Sequence, residues 1–148
     1  MKSQVKANYQ FIVSDNGQSN TIGYIYFDRF TDSNILHYKY SNGTSIQNIY
    51  FADFFLDLDN QWIHIIVICD YSNKTIKSYR NGAQFGATQN LTLVPQFPSI
   101  DRVKYVGSSS TSANKLTDGS LDEVRIYNRG LSVEEVMARY NKTMGRYQ

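Results

Sequence analysis

The 148 residues carry 15 Lys and Arg against 13 Asp and Glu, a net charge of +2, and 41% of them are hydrophobic. That length builds one domain with its own core, and near-neutral charge with no Lys/Arg run excludes an electrostatic footprint for nucleic acid. No apolar run approaches the roughly 18 residues of a membrane helix, the single Cys69 has no internal disulfide partner, and Met1 to Lys6 lacks the apolar core of a signal peptide.

The chain reads as strand after strand. Its 12 Tyr and 8 Phe suit pleated sheets better than helices. Tyr9 to Val13 is an apolar run ended by Ser14-Asp15-Asn16-Gly17, in which Asn-Gly supplies positive φ cheaply. Thr21 to Phe27 and Ile35 to Tyr40 alternate, and the second stops at the Asn42-Gly43 turn. Ile46 to Phe51 makes a fourth strand. Trp62 to Cys69 is apolar on both faces, the pattern of a central strand, with Trp62 buried in the middle of the core. Thr75 to Arg80 follows and closes at Asn81-Gly82. Both prolines fall between Leu93 and Ser99, a loop where a missing N–H does no harm. Arg102 to Val106 and Leu121 to Tyr127 complete the strands. Ser132 then precedes Glu135 by three residues, the capping-box spacing. Val133, Val136, Met137 and Tyr140 give a helix over 131–140 one apolar side. Short strands at regular spacing between turns indicate an all-β sandwich or jelly roll with a short C-terminal helix.

Residues capable of chemistry are sparse. No strand carries the alternating carboxylates of a glycosidase. Asp57 and Asp59 alternate, but they stand in the turn before Trp62 and read as solvated. His37 and His64 lie on different strands and form no Ser/His/Asp set. Calcium needs six to eight oxygens, and the carboxylates grouped closely enough to supply some are Asp53, Asp57 and Asp59 in one loop and Asp118 and Asp122 in another. Sugar rings present apolar C–H faces rimmed by hydroxyls and are complementary to aromatic platforms with amide neighbours. The residues for such a platform are Tyr24, Tyr26, Tyr38, Tyr40 and Tyr50, with Asn34, Asn42 and Asn48 nearby. The alternative is that the same rings simply line the core. Asn-x-Ser/Thr sequons occur at Asn42, Asn73, Asn90 and Asn141, as chance allows in an Asn-rich chain.

Three stretches resemble the laminin-G-like domains of the concanavalin A-like lectin/glucanase superfamily. They are Gln61-Trp-Ile-His-Ile-Ile-Val-Ile-Cys-Asp70, then Ile76-Lys-Ser-Tyr-Arg-Asn-Gly82, then Leu121-Asp-Glu-Val-Arg-Ile-Tyr-Asn128 leading into Leu131-Ser-Val-Glu-Glu135. The resemblance implies a concanavalin A-like jelly-roll sandwich of antiparallel sheets spanning residues 1–148. It also implies a non-catalytic carbohydrate-binding or adhesion module of a larger extracellular or virion protein, with a glycan or glycoprotein as partner. The alternatives are a glycoside hydrolase of the same fold and a purely structural or oligomerisation domain. Related folds often hold a structural calcium on the aspartate matching Asp122 together with backbone carbonyls of the opening strands, so Asp122 and Asp118 are candidate metal ligands for a structural calcium. The alternative role for Asp122 is a hydrogen bond or ion pair near the sheet rim. The glycan candidates are Tyr24, Tyr26, Tyr38, Tyr40 and Asn42. Such domains open with strands that this sequence does not show before Lys6. An uncovered sheet edge and a homodimer formed through it are therefore expected.

Overall fold

The computed structural model describes residues 2–3, 10–15, 25–29, 33–94, 104–108 and 119–147. Along them run β1 (Lys2–Ser3), β2 (Gln10–Asp15), β3 (Ile25–Arg29), β4 (Leu36–Ser41), β5 (Ile46–Phe51), β6 (Ile65–Asp70), β7 (Thr75–Arg80), β8 (Ala83–Asn90), β9 (Lys104–Val106), β10 (Gly119–Ser120) and α1 (Val133–Met144). Every pairing between them is antiparallel. One sheet has the order β5-β4-β3-β2-β9, a second the order β6-β7-β8, and β1 pairs with β10. The all-β sandwich with a C-terminal helix is the architecture that the turn spacing predicts.

The two larger sheets enclose the core. On β4 and β5 the period of two sends Leu36, Tyr38, Tyr40, Ile49 and Phe51 inward, where all are buried. Ile76 of β7 and Leu91 after β8 meet them, and Phe54, Phe55 and Ile63 complete the cluster from the β5–β6 connection. Each such side chain contributes about 1.5–3 kcal/mol by leaving water. In that connection Asp53, Asp57 and Asn60 adopt positive φ, which short polar side chains tolerate. It is anchored by Arg29, 1% exposed, whose guanidinium lies 5.0 Å from the Phe55 ring centre. Arg29 donates from Nε to Ser33 O at 3.1 Å, from Nη2 to Asn34 Oδ1 at 2.9 Å and from Nη1 to Asp59 Oδ1 at 3.0 Å. Asp59, expected to be a solvated turn residue, is thus the half-exposed partner of a buried cation.

Asn81 and Gly82 form a two-residue hairpin loop with φ of 51° and 84°, the type I′ geometry that matches strand twist. The Asn81 N–H donates to His64 O at 2.9 Å, and Asn81 Oδ1 accepts from the His64 N–H at 3.0 Å. α1 begins with the anticipated capping box. The Glu135 N–H donates to Ser132 Oγ at 3.3 Å, and the Ser132 N–H donates to Glu135 Oε2 at 2.9 Å. The helix runs to Met144 rather than stopping at Tyr140, because nothing before Gly145 breaks it. Its contact stripe is narrower than the sequence predicts: Val136 is buried and Tyr140 packs over Gly82, while Val133 and Met137 stay exposed.

The remaining departures have physical reasons. β8 goes unseen in the sequence because Ala-Gln-Phe-Gly-Ala-Thr-Gln-Asn has almost no apolar alternation. Trp62 is not at the centre of the core. It precedes β6, is half-buried, and stacks on Tyr147 with ring centres 4.4 Å apart. β6 itself, expected to be central, is an edge strand among the described residues, and all six of its side chains are half-buried. Leu121 to Tyr127 belongs to no strand although its side chains alternate. A strand needs a neighbour to close its hydrogen bonds, and Glu123 instead turns to a φ of 54° while its N–H donates to Asp122 Oδ1 at 2.7 Å. Cys69 of β6, whose apolar neighbours in sequence indicate a small buried hydrophobe, is half-buried, and burial pushes its thiol up to about 11.

Candidate functional site

Because inward positions on β4 and β5 are taken by core residues, the intervening ones form the outer face of the five-stranded sheet. The register β3–β4–β5 sets Asp28, His37 and Tyr50 in one row and Lys39 beside Asn48 in the next. The row is internally bonded. His37 Nδ1 lies 2.9 Å from Asp28 Oδ1, and its Nε2 lies 3.1 Å from Asn48 Oδ1, so both ring nitrogens face oxygen. The imidazole stacks on Tyr50 at 4.7 Å with an interplanar angle of 11°.

Burial and exposure divide the row by task. Asp28 and His37 are 1% and 3% exposed, whereas Tyr50 is 43% exposed and Asn48 also reaches solvent. Burial raises the Asp28 carboxyl above the ordinary carboxylate range, and the hydrogen bond and charge of His37 pull it back. Asp28 thus locks the imidazole and the imidazole locks the phenol ring. On the strand's other side Gln89 Nε2 donates to Tyr50 O at 2.8 Å, which ties this position to β8. The result is an accessible aromatic ring held at fixed tilt beside an amide and a lysine. Such a surface can stack on an apolar face and hydrogen-bond at its rim.

The predicted glycan residues fare unevenly. Tyr38 and Tyr40 are 1% and 0% exposed and stack on each other within the core at 5.2 Å, so neither ring is available as a surface platform. The Tyr38 hydroxyl meets that of Tyr71 at 2.9 Å, and the Tyr40 hydroxyl lies within hydrogen-bonding reach of both Gln47 Oε1 and Leu93 O, with one proton to donate between them. Asn42 holds the β4–β5 turn, its Oδ1 accepting from the N–H groups of Thr44 at 3.0 Å and Ser45 at 2.8 Å. Tyr26 pairs in register with Lys39 through β3, and Tyr24 lies outside the described residues. The Asp28–His37 pair was missed by reading the sequence. The sequence held only part of its signal: the two residues are nine apart, but Asp28 lies just beyond the strand read over Thr21 to Phe27, and the phase that places it beside His37 comes from the sheet register.

The structure describes one of the two candidate metal ligands, Asp122. Asp118 lies outside the described residues. Both carboxylate oxygens of Asp122 are engaged, one with the Glu123 N–H and one with the Tyr147 hydroxyl. Among the described residues no three His, Cys, Asp or Glu side chains converge as a metal site. His64 is half-buried in the fold, but its ring Nδ1 is buried without a hydrogen-bond partner among the described residues. The ring stands 5.8 Å from that of Tyr140, and burial lowers its basicity.

Comparison with known proteins agrees with this architecture. A search of curated protein sequences returned no match. Among solved structures, the CBM40 module of a Ruminococcus gnavus sialidase superposes with a TM-score of 0.69 at 15% identity, over 94% of this chain and 78% of that one. The same module has been solved bound to α2,3-sialyllactose. A heptameric SAP-like pentraxin from Limulus polyphemus matches with a TM-score of 0.63 at 16% identity, over 91% of this chain and 64% of that one. At these identities the likeness is one of fold. The profile described as the concanavalin A-like lectin/glucanases superfamily matches residues 1–137, and the chain belongs to that superfamily.

Proposed function

We propose that the domain is a non-catalytic glycan-binding module whose contact surface is the outer face of the five-stranded sheet, centred on Tyr50. The observation that carries this reading is the Tyr50 ring, 43% exposed yet fixed by stacking on a His37 that Asp28 and Asn48 hold from both sides. A pre-set ring loses little conformational freedom when a sugar stacks on it. Asn48 and Lys39, next to it in the register, supply rim contacts to hydroxyl or acidic groups. Superfamily membership and the fold shared with a sialidase carbohydrate-binding module support the same class of ligand. A binding rather than hydrolytic role is supported by the chemistry of the face. Asp28 is the one carboxylate among its described side chains, and it is buried against His37, whereas glycosidases flank the scissile bond with two. A glycan-binding role fits an extracellular or virion setting.

A glycan array with wild-type protein and Tyr50→Ala tests this. Bound glycans should lose roughly tenfold or more in affinity on removal of the ring, with the melting temperature nearly unchanged, because Tyr50 is outside the core. A blank array, equal binding by the variant, or release of sugars from a polysaccharide panel would overturn the proposal.

A further inference from the structure

The groove of about 960 Å³ beside β6 has an apolar wall and a cationic one. Ile65, Ile66, Val67 and Ile68 of β6 all line it, so the strand offers it side chains of both phases. That apolar surface belongs to an edge strand, among the described residues, whose six side chains are all half-buried. His64 lines the groove too, and burial lowers its basicity, so at neutral pH its ring adds no charge.

Both ends of the groove are closed. Gly130 lies against Ile68, where an added Cβ would stand 3.2 Å from Ile68 Cγ2. At the other end Trp62 stacks on Tyr147, whose hydroxyl donates to Asp122. The space therefore takes a molecule of bounded length, and its volume falls within the roughly 300–1,000 Å³ of small-molecule sites. The six residues of β6 span roughly 17 Å, close to the reach of an extended laurate chain. Lys104, Arg125, Arg129, Arg139, Lys142 and Arg146 line the groove against the carboxylates of Asp122 and Glu123. Those carboxylates are already engaged, Glu123 by Arg125 and Arg146, and Asp122 by Tyr147. Arg129 is held by Glu135. Arg139 and Lys142 form no ion pair among the described residues, and three residues apart they share one side of α1.

We propose that the groove binds the anion of a free medium-chain fatty acid, its carboxylate on Arg139 and Lys142 and its chain along β6. Charge complementarity selects the head. Cationic donors make their strongest hydrogen bonds to a carboxylate, and the groove holds two cations outside any ion pair but no carboxylate that is not engaged. The apolar wall selects the tail, because every CH₂ laid along β6 leaves water. The closed ends leave no exit for the second chain of a membrane lipid, so the ligand is a free acid. Tyr50 does not line this groove, and the assignment does not rest on glycan binding.

Titrating the emission of the sole tryptophan tests this, since Trp62 lines the groove. Laurate should bind saturably, and affinity should rise roughly tenfold from octanoate to decanoate as the added CH₂ groups leave water. The double variant Arg139→Gln/Lys142→Gln should weaken laurate by roughly tenfold. Glutamine keeps the helix propensity of the residues it replaces, so α1 is retained. Dodecanol, which has the same chain without the charge, should bind wild type and double variant alike. Tyr50→Ala should leave laurate binding unchanged, which separates this outcome from that of the glycan array. The proposal is overturned by no saturable response to laurate, by laurate binding indifferent to the double variant, or by equal affinity for dodecyltrimethylammonium. Pelleting with phosphatidylglycerol vesicles in place of laurate binding would overturn it as well.

Discussion

Gly82→Ala gives the sharpest test of how the helix is seated on the sandwich. Gly82 has a φ of 84°, and a Cβ there would lie 2.8 Å from Tyr140 Cδ1 and 3.1 Å from its Cβ and Cγ. Two costs add. Alanine in left-handed backbone loses about 1–2 kcal/mol, and displacing a packed ring costs about 1–3 kcal/mol. The displacement is not cheap, because the Tyr140 Cβ is itself in the contact and cannot swing aside without moving α1. The sum is a destabilisation of about 2–5 kcal/mol, measured by urea unfolding with a common slope. A double-mutant cycle separates the parts. In a Tyr140→Ala background, which removes the ring atoms but keeps the Cβ at 3.1 Å, the same glycine substitution should cost less than in wild type and approach the conformational share of about 1–2 kcal/mol from above. A Gly82→Ala protein within about 0.5 kcal/mol of wild type, or no coupling to position 140, would refute the contact and the turn geometry together.

Ser132→Ala should destabilise by about 1 kcal/mol through the lost cap, read from the thermal unfolding curve. Arg129 beside Glu135 and the Ser132 N–H hold the Glu135 carboxyl down at about 2. Its contribution is therefore complete above the ordinary value of 4.5 and lost as pH falls through about 2, so melting against pH should slope across that window in wild type and less in Glu135→Gln. Arg29→Lys keeps the charge but not the three-way fork, and should cost about 2 kcal/mol in urea unfolding. Tyr147→Ala uncovers one face of the sole tryptophan, so indole emission should shift to longer wavelength; an unchanged spectrum would contradict the stacking.

Much of the fold could be read from residues alone because its signals are local. Ile46 to Phe51 and Thr75 to Arg80 are strands with the predicted bounds, each marked off at one side by an Asn-Gly turn. The capping box at Ser132 also needs only neighbours three residues apart. What failed depends on partners distant in sequence. Nothing in Trp62 to Cys69 shows that a strand with two apolar faces would stand at an edge, since apolarity reports burial and not what supplies it. Leu121 to Tyr127 has the alternation of a strand, but alternation cannot furnish the neighbour that would hold it. The tyrosines illustrate the same limit within the site. Tyr38 and Tyr50 look equivalent by composition, yet Tyr38 occupies an inward phase and Tyr50 an outward one. Assigning those phases required knowing which face of β4 the second sheet covers.

The Cys69 thiol on β6 has a practical consequence. With its thiol pushed up to about 11, only on the order of one molecule in ten thousand carries the thiolate at neutral pH. Oxidants and alkylating reagents thus find a poor nucleophile, and the protein should tolerate oxidising surroundings without cross-linking through this residue. Exposure to water restores the ordinary thiol acidity, so the rate of covalent labelling becomes a clock for excursions that lift β6 from the sheet. That clock sits on β6, an edge strand among the described residues. It would slow when anything pairs along that edge, giving a mass-spectrometric readout of edge occupancy that needs no engineered probe.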